Sequence, residues 1–292
     1  MQTTIGMVGI GLMGHGIAGN ILKAGWPLGF LDHPGNQDCA DLRDAGAQSH
    51  VSFESLAAAS EVIIICVTGS PEVEAVVLGG NGLLKHLNPG TTVIDCSTAI
   101  PESTREIARA VEAAGCRFMD APMTRTPREA EQGRLNLIVG GDAELLREHR
   151  PLLESFAENI AHAGPVGSGH VMKLVHNFVS LGFSAVLSEA ACTADAAGID
   201  KQVLVDVLAA GGGAGVVLDR LSPYVLSGSS DSFRFSLANA HKDLGYYLSM
   251  AQQLNSTREA ASAIESLYAR AHEQCAAGAP VPELIDHLKK TP

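Results

Sequence analysis

Lys173 and Asn177 lie four residues apart in an apolar stretch without proline, which predicts that both side chains share one face of a helix. A lysine amine partly removed from water can give a proton to a carbonyl oxygen, or accept one from an alcohol once it is neutral. Asn177 can hold the substrate oxygen or acid group as a neutral donor. The pair therefore predicts acid–base chemistry at a carbonyl or alcohol. Considered on this helix alone, a lysine that reaches into solvent is the better interpretation.

The stretch before Lys173 strengthens the catalytic interpretation. Gly164-Pro165-Val166-Gly167-Ser168-Gly169 leads directly into the predicted helix, a glycine-rich entry that a surface helix does not require. His170 and His176 belong to the same helix, and we interpret them as supporting or surface groups rather than as the general base. None of these residues has the spacing of a metal site.

A second group suited to chemistry is the turn Gly9-Ile10-Gly11-Leu12-Met13-Gly14. It follows a predicted strand and opens a predicted helix, the context in which G-x-G-x-x-G binds a dinucleotide. The first glycine permits the tight turn, the second lets the backbone approach a pyrophosphate, and the third lets helix and strand pack closely. The helix N-terminus faces the phosphate charge. The alternative is a structural turn, which this context disfavours.

Asp32 ends the second predicted strand and is suited to bind a ribose. A carboxylate there accepts hydrogen bonds from the 2′- and 3′-hydroxyls and repels a 2′-phosphate. His33 and Pro34 follow, with no arginine beside them, so we predict NAD in preference to NADP. Two alternatives stay open: Asp32 could only cap a turn, and His33 could tolerate a phosphate.

The elements that must position these residues alternate between strand and helix. Apolar runs predict strands at 4–9, 28–31, 62–67, 91–96, 116–121, 135–139 and 159–163. A helix is predicted over 101–114, with proline in its first turn. This alternation predicts a Rossmann-type α/β domain with a mostly parallel, doubly wound sheet. Beyond Gly169 only helices are predicted, at 171–197, 201–210, 216–226, 237–253 and 257–276. We therefore predict two domains, an NAD-binding domain at 1–164 and an all-α substrate and dimerisation domain at 165–292.

Composition limits the possible functions. Hydrophobic residues make up 46% of the 292 residues, which is typical of a globular protein, and the net charge of −12 without a basic stripe disfavours nucleic acid. The six cysteines show neither a disulfide framework nor zinc spacing. We expect a cytoplasmic protein without a signal peptide or a membrane span, and an anionic substrate would need locally placed cations.

Five segments resemble the β-hydroxyacid dehydrogenase family, which includes 3-hydroxyisobutyrate dehydrogenase and tartronate semialdehyde reductase. They are GIGLMGHGIAGNILKAG at 9–25, DCST at 95–98, DAP at 120–122, the G-x-x-G-x-G-x-x-x-K-x-x-x-N motif at 164–177, and KDL at 242–244. They occur in the family's order and span nearly the whole chain. The resemblance implies an NAD(P)-dependent dehydrogenase with a long interdomain helix, assembled as a homodimer or homotetramer.

The resemblance also implies individual roles. Lys173 matches the catalytic lysine and Asn177 the asparagine that orients the substrate. Ser97 and Thr98 match residues near the substrate and the nicotinamide, respectively. The remaining matches are Val67 and Thr68, which would line the cofactor, and Lys242, which would reach toward it from the helical domain.

The chain departs from the family pattern after Asp120-Ala121-Pro122. The family continues with a serine and two glycines that cradle the substrate carboxylate, whereas this chain has Met123, Thr124, Arg125 and Thr126. The segment partly resembles that of sulfolactaldehyde reductases, whose arginine meets a sulfonate. Arg125 is thus predicted to bind the carboxylate or sulfonate of the substrate. The alternative, that Arg125 points outward and pairs with Glu129, stays open.

These observations predict an oxidoreductase that moves a hydride between NAD(H) and a small anionic β-hydroxy acid or its semialdehyde. Two other functions are considered. An imine reductase of related architecture would be expected to replace the lysine and favour NADP, and a non-catalytic nucleotide-sensing or protein-interaction homologue would be expected to lose the lysine.

Overall fold

The computed structural model describes residues 3–290 of the chain. They divide into two compact units between Lys173 and Leu174, and this division falls within one long helix. The first unit combines a sheet with helices, and the second is entirely helical apart from an isolated bridge between Ser236 and Pro280. The predicted fold class, a Rossmann-type domain followed by an all-α region, is confirmed.

The first unit is built on a single sheet of nine strands among the described residues. The strands are β1 Ile5–Val8, β2 Leu28–Leu31, β3 Gln48–His50, β4 Val62–Ile65, β5 Thr92–Asp95, β6 Arg117–Asp120, β7 Met123–Thr124, β8 Leu135–Gly140 and β9 Ala157–Gly164. Their order is β3-β2-β1-β4-β5-β6-β8-β7. Strand β9 also pairs with β8, in the parallel direction.

Six strands, from β3 to β6 in sheet order, run parallel, and β8 then pairs antiparallel with both β6 and β7. A parallel register places the ends of β1, β4, β5 and β6 at one edge. Gly9, Cys66, Cys96 and Ala121 directly follow these strands, so the loops predicted to carry the chemistry leave the sheet at the same edge.

Apolar side chains cover both faces of the sheet, as expected of a parallel sheet. Met7 and Ile64 lie in the core on one face, whereas Val8 and Ile63 lie in the core on the other. The flanking helices are α1 Leu12–Lys23, α2 Ala40–Asp44, α3 Phe53–Ala58, α4 Ser70–Leu78, α5 Pro101–Ala113, α6 Pro127–Glu131 and α7 Ala143–Leu153. The alternation of side chains along each strand therefore places one helical layer on either face.

The second unit begins within α8 Ser168–Ala196 and packs further helices around two apolar clusters. These helices are α9 Lys201–Ala209, α10 Val216–Ser227, α11 Leu237–Gln253, α12 Glu259–Gln274 and α13 Leu284–Lys290. Tyr268 is its largest fully buried side chain, and its hydroxyl donates to the carbonyl of Leu181 at 3.1 Å. This bond satisfies a polar group that would otherwise be costly to bury.

One helix, α8, is long and apolar enough to cross a membrane by length and composition alone. Core helices of water-soluble proteins pass the same test, and 44% of its most apolar window is buried inside the protein. It also carries the buried polar side chains of Lys173 and Asn177. These features favour a core helix.

The sequence analysis assigned no strand at β3 or β7 and no helix at α2, α3, α4, α6, α7 or α13. Gln48–His50 is polar and largely exposed, and Met123–Thr124 is only two residues long. Neither segment has the apolar run on which the strand predictions rest, because both form through pairing with neighbouring strands.

Candidate active site

The glycine turn after β1 has the backbone that its sequence requires. Gly9 has a φ of 94°, and a Cβ there would lie 2.3 Å from the carbonyl oxygen of Cys66. A Cβ on Gly14 would lie 2.0 Å from the carbonyl oxygen of Gly9, so a side chain at either position would collide with backbone. A Cβ on Gly11 would meet nothing within 4 Å, so the backbone is open to an incoming group there.

Helix α1 begins in this turn without a side-chain cap on its first N–H groups. Its dipole and uncapped N–H groups favour an anion, as in dinucleotide sites. Ile10 is fully buried, Met13 packs against the core, and Leu12 is exposed. Asn36 supports the turn, since its Oδ1 accepts from the Ile10 N–H at 3.2 Å. The turn thus has the geometry of a phosphate cradle.

Asp32 directly follows β2, and its side chain is half exposed. The guanidinium of Arg43, in α2, lies 3.8 Å from its Oδ1. This arginine is eleven positions further along the chain, so inspection of the residues that immediately follow Asp32 could not find it.

Lys173 is buried, with 8% of its surface exposed, and its Nζ donates to the backbone carbonyl of Met123 at 2.7 Å. The partner carbonyl belongs to β7, the short strand that follows β6. The solvent-exposed lysine considered as an alternative is therefore not what the structure has. Removal from water is the condition under which a lysine can exchange a proton with a substrate.

Ser97 is buried and fixed through three polar groups. Its N–H donates to Asp95 Oδ1 at 2.9 Å, and its hydroxyl oxygen accepts from the Val67 N–H at 3.0 Å. Its carbonyl lies 3.1 Å from His170 Nε2. A carbonyl only accepts, so His170 carries a proton on Nε2. These contacts connect the loops after β4 and β5 to the start of α8.

His170 is fully buried, and its other ring nitrogen lies 2.8 Å from Thr104 Oγ1. Asp120 accepts from the His170 N–H at 2.8 Å and from the Gly167 N–H at 2.7 Å. The interpretation of His170 as a supporting group agrees with these contacts. Burial also raises the pKa of the nearby Asp95 carboxyl.

The Met123-to-Thr126 segment is held by its own contacts. Thr124 Oγ1 accepts from Asn136 Nδ2 at 3.1 Å, and Thr126 forms a capping box with Glu129 at the start of α6. Arg125 has a left-handed φ of 83°, a backbone conformation that the glycine of the family pattern would adopt without steric cost. Its guanidinium donates to Glu158 and to the Arg134 carbonyl.

Arg125 is ion-paired, as the outward alternative predicted, but its partner is not Glu129. Glu129 is engaged by Thr126, whose N–H donates to it at 2.9 Å, and the carboxylate that pairs with Arg125 is Glu158 in β9. The Arg125 side chain keeps about a quarter of its surface exposed.

In the second unit, Asn177 is buried and its Nδ2 donates to Asp243 Oδ2 at 2.6 Å. His176 Nδ1 lies 3.0 Å from Asn177 Oδ1. Lys242 Nζ lies 3.1 Å from Asp243 Oδ1, an ion contact without hydrogen-bond geometry, and 5.3 Å from the centre of the Tyr246 ring. Asp243 thus joins Asn177 and Lys242, two of the predicted site residues.

Three residues of these clusters were missed or given no role by the sequence interpretation: Arg43, Glu158 and Asp243. Only Asp243 carried a local signal, since it follows Lys242 inside the family's KDL segment. Of the predicted cofactor residues, Thr68 is exposed and Thr98 half-buried, and both follow strands of the parallel sheet.

Two family descriptions match the chain. Residues 4–164 match the NAD-binding domain of 6-phosphogluconate dehydrogenase, and residues 167–288 match the NAD-binding region of NADP-dependent 3-hydroxyisobutyrate dehydrogenase. The chain belongs to the β-hydroxyacid dehydrogenase family. It is therefore an NAD(P)-dependent oxidoreductase of the type that acts on CH–OH groups, as the resemblance predicted.

Similar members of the β-hydroxyacid dehydrogenase family support this assignment. An NAD-dependent L-serine dehydrogenase of Pseudomonas aeruginosa is 35% identical over 90% of both chains. A 3-sulfolactaldehyde reductase of Escherichia coli is 32% identical over 92% of this chain and 90% of its own. The structure of Mycobacterium tuberculosis 3-hydroxyisobutyrate dehydrogenase with L-serine has a TM-score of 0.88 at 27% identity, covering 99% of this chain and all of that one.

Imine reductase structures share the fold at lower identity. The Myxococcus stipitatus enzyme shares 20% identity and a TM-score of 0.64, a likeness that concerns the fold alone. The alternative of an imine reductase is therefore less well supported than a hydroxy acid dehydrogenase.

Proposed function

We propose that this enzyme transfers a hydride between NAD(H) and the alcohol or aldehyde of a small anionic β-hydroxy acid, with Lys173 as general acid and base. The observation that carries the proposal is the buried Lys173, held by the Met123 carbonyl at 2.7 Å. A surface lysine would pay no desolvation cost, whereas a buried amine in a dehydrogenase fold is suited to exchange a proton with substrate.

The chemistry follows from the residues on α8. A bound nicotinamide supplies or accepts the hydride. In the reducing direction Lys173 gives a proton to the oxygen that becomes the hydroxyl, and in the oxidising direction it removes that proton. Asn177 lies one helical turn further on the same helix and is proposed to orient the substrate oxygen or acid group. One amide hydrogen is engaged by Asp243, and an amide nitrogen has two to donate.

The residues fit a dinucleotide. The open backbone at Gly11 and the uncapped start of α1 would hold the pyrophosphate. Asp32 would accept from the ribose hydroxyls, and on this basis we propose NAD in preference to NADP. Val67, Thr68, Thr98 and Lys242 are proposed to line the remaining cofactor surface.

For the substrate we propose a short acid bearing a carboxylate or sulfonate. Ser97 is proposed to contact the substrate from the loop after β5, where its hydroxyl oxygen accepts from the Val67 N–H and its side chain also hydrogen-bonds the Asp95 carboxyl. Met123, Thr124, Arg125 and Thr126 are proposed to contact the acid group. The relatives named for L-serine and sulfolactaldehyde provide the first compounds to test.

The test measures absorbance of the reduced cofactor with L-serine, 3-hydroxyisobutyrate and sulfolactaldehyde, for wild type and Lys173→Ala. We expect kcat to fall by roughly 100-fold or more in the variant while cofactor affinity is retained. Lys201→Ala, at the exposed start of α9, is the matched control and should keep the wild-type rate.

A Lys173→Ala enzyme with full kcat would refute the acid–base role. If no hydroxy acid or aldehyde acid turned over while NADH still bound, the non-catalytic nucleotide-sensing homologue would become the leading function.

We also propose that the protein is cytoplasmic and assembles as a homodimer or homotetramer. Each chain is proposed to consist of an NAD-binding domain at 1–164 and a helical substrate domain at 165–292. The free thiols of all six cysteines fit a reducing compartment. Val179 and Val186 on α8 are seven positions apart and mostly exposed, so they lie on one apolar face that a second copy would cover. Light scattering coupled to size-exclusion chromatography measures the assembly directly, and a monomer would contradict this proposal.

A further inference from the structure

Asp32 has a cationic neighbour, Arg43, that the residues next to it in sequence do not predict. Arg43 Nη2 lies 3.8 Å from Asp32 Oδ1, and the two side chains are 45% and 51% exposed, respectively. A carboxylate at this position hydrogen-bonds the ribose 2′-hydroxyl of NAD, whereas an arginine nearby accommodates the 2′-phosphate of NADP. Here an arginine lies within reach of any group that binds this carboxylate from the solvent side.

The position of the Arg43 guanidinium is fixed by packing as well as by charge. It lies 5.4 Å from the centre of the Phe30 ring, and Phe30 is a fully buried residue of β2. Stacking on an aromatic face restricts an arginine without satisfying its N–H groups. The guanidinium is thus held beside Asp32 with N–H donors left for an anion.

Asp38 and Asp41, which with Arg43 and Asp32 surround the Cys39 thiol, have partners of their own. Asp38 Oδ1 accepts from the Ala40 N–H at 3.0 Å, and Asp41 Oδ1 lies 3.0 Å from His15 Nε2. Asp32 is accordingly the carboxylate whose charge Arg43 offsets.

His33 adds a second donor at the same loop. Its Nδ1 accepts from the Gly35 N–H at 3.0 Å, so the ring proton resides on Nε2, and the residue is exposed. The Arg43 guanidinium and the His33 N–H, both beside the ribose-binding carboxylate, can donate to a 2′-phosphate.

We propose that Arg43 is a cofactor-specificity residue that lets this site accept the 2′-phosphate of NADP(H) in addition to NAD(H). The proposal rests on the nicotinamide function proposed above and changes one part of it, because Asp32 alone would exclude the phosphorylated cofactor. With NAD, Asp32 binds the ribose hydroxyls and Arg43 stays paired with it. With NADP, the remaining N–H groups of the guanidinium, which stays beside Asp32, donate to the phosphate and offset the repulsion.

The experiment measures binding by calorimetry, with 5′-ADP and 2′,5′-ADP as probes that lack the nicotinamide. The full-length protein is compared with Arg43→Gln, with Arg43→Lys, and with Arg147→Gln as an exposed-arginine control. We expect the wild type to bind 2′,5′-ADP, and Arg43→Gln to weaken it by at least about tenfold while changing 5′-ADP by less than about twofold. Arg43→Lys should recover part of the loss, since it keeps the charge without the bidentate fork.

Asp32→Asn supplies the opposite variant and should strengthen 2′,5′-ADP binding, because the repelling charge is removed. The proposal is overturned if the wild type binds 5′-ADP but not 2′,5′-ADP, or if Arg43→Gln weakens both probes equally or neither. Failure of the wild type to bind 5′-ADP at all would instead refute the nucleotide site on which the proposed function depends.

Discussion

The side-chain amide of Asn177 donates to the carboxylate of Asp243 at 2.6 Å, and this bond fixes which way the amide faces. The oxygen and the nitrogen of an asparagine amide are nearly the same in shape, so only their hydrogen-bond partners show which is which. Asp243 only accepts, so the nitrogen of Asn177 faces it and the oxygen faces His176. Asp243 also neutralises Lys242, so one buried acid organises two predicted site residues.

We predict that Asp243→Asn lowers kcat/KM by about tenfold or more. The variant keeps the shape of the residue but removes a charge-assisted bond, which is roughly twice as strong as a neutral one. The Asn177 amide then loses the partner that sets its orientation, while Lys242 loses its counter-charge. Steady-state kinetics with the best substrate of the panel measures the effect.

Asp286→Asn is the matched control for this variant, since Asp286 accepts from the Tyr224 hydroxyl at 2.7 Å on the surface of the same unit. We expect the control to retain wild-type kinetics. Equal melting temperatures but unequal kcat/KM would identify the positioning of Asn177 and Lys242, rather than lost stability, as the cause. An Asp243→Asn enzyme with unchanged kinetics would show that the bond has no functional role.

Variants of the ion pair between Arg125 and Glu158 can distinguish substrate binding by Arg125 from support of its loop. We predict that Arg125→Gly raises KM for charged aldehydes by roughly tenfold and leaves uncharged aldehydes within about twofold, as the loss of one carboxylate contact requires. Glycine suits the left-handed φ of 83° at this position, so the backbone is not strained by the change.

Glu158→Gln is the informative partner variant, because it breaks the same ion pair and keeps the arginine. If Arg125 contacts the substrate, Glu158→Gln should leave the preference for charged aldehydes intact. If both variants change KM equally for charged and uncharged aldehydes, Arg125 serves the loop alone.

His149 gives the protein a pH-dependent stability with a definite sign. It is buried on α7, with Nε2 3.0 Å from Thr92 Oγ1, and burial lowers its pKa below the ordinary value of 6.5. The folded state binds this proton less readily than the unfolded state does. The stabilisation by neutral His149 is therefore complete above pH 6.5, and it is lost as the pH falls through the lowered pKa of the folded state. His287 has a pKa lowered by burial and contributes with the same sign.

We therefore predict that the free energy of unfolding in urea decreases from pH 7 to pH 5, and that His149→Gln reduces the slope. Glutamine keeps a polar group near Thr92 but does not titrate. The exposed His272→Gln serves as control and should reproduce the wild-type slope. A wild-type slope in His149→Gln would contradict the assignment.

The elements that form from local sequence were predictable. The glycine turn, the strand of β2 at Leu28–Leu31 and the helix α11 at Leu237–Gln253 have the predicted residues, because apolar period and glycine placement act over a few neighbouring positions. The match of Lys173 and Asn177 to one helix follows from the same local rule. The paired strands β3 and β7 were missed, because their stability comes from neighbours.

By itself, the amino-acid sequence determined the α/β class, the glycine turn, the helix that bears Lys173 and the family. Tertiary structure decided which charges meet: Arg43 with Asp32, Glu158 with Arg125, and Asp243 with Asn177. These partners are separated by 11, 33 and 66 positions, respectively. Sequence spacing predicts contacts only within a helix or strand, whereas these pairs depend on chain reversals and packing that bring distant segments within a few ångströms.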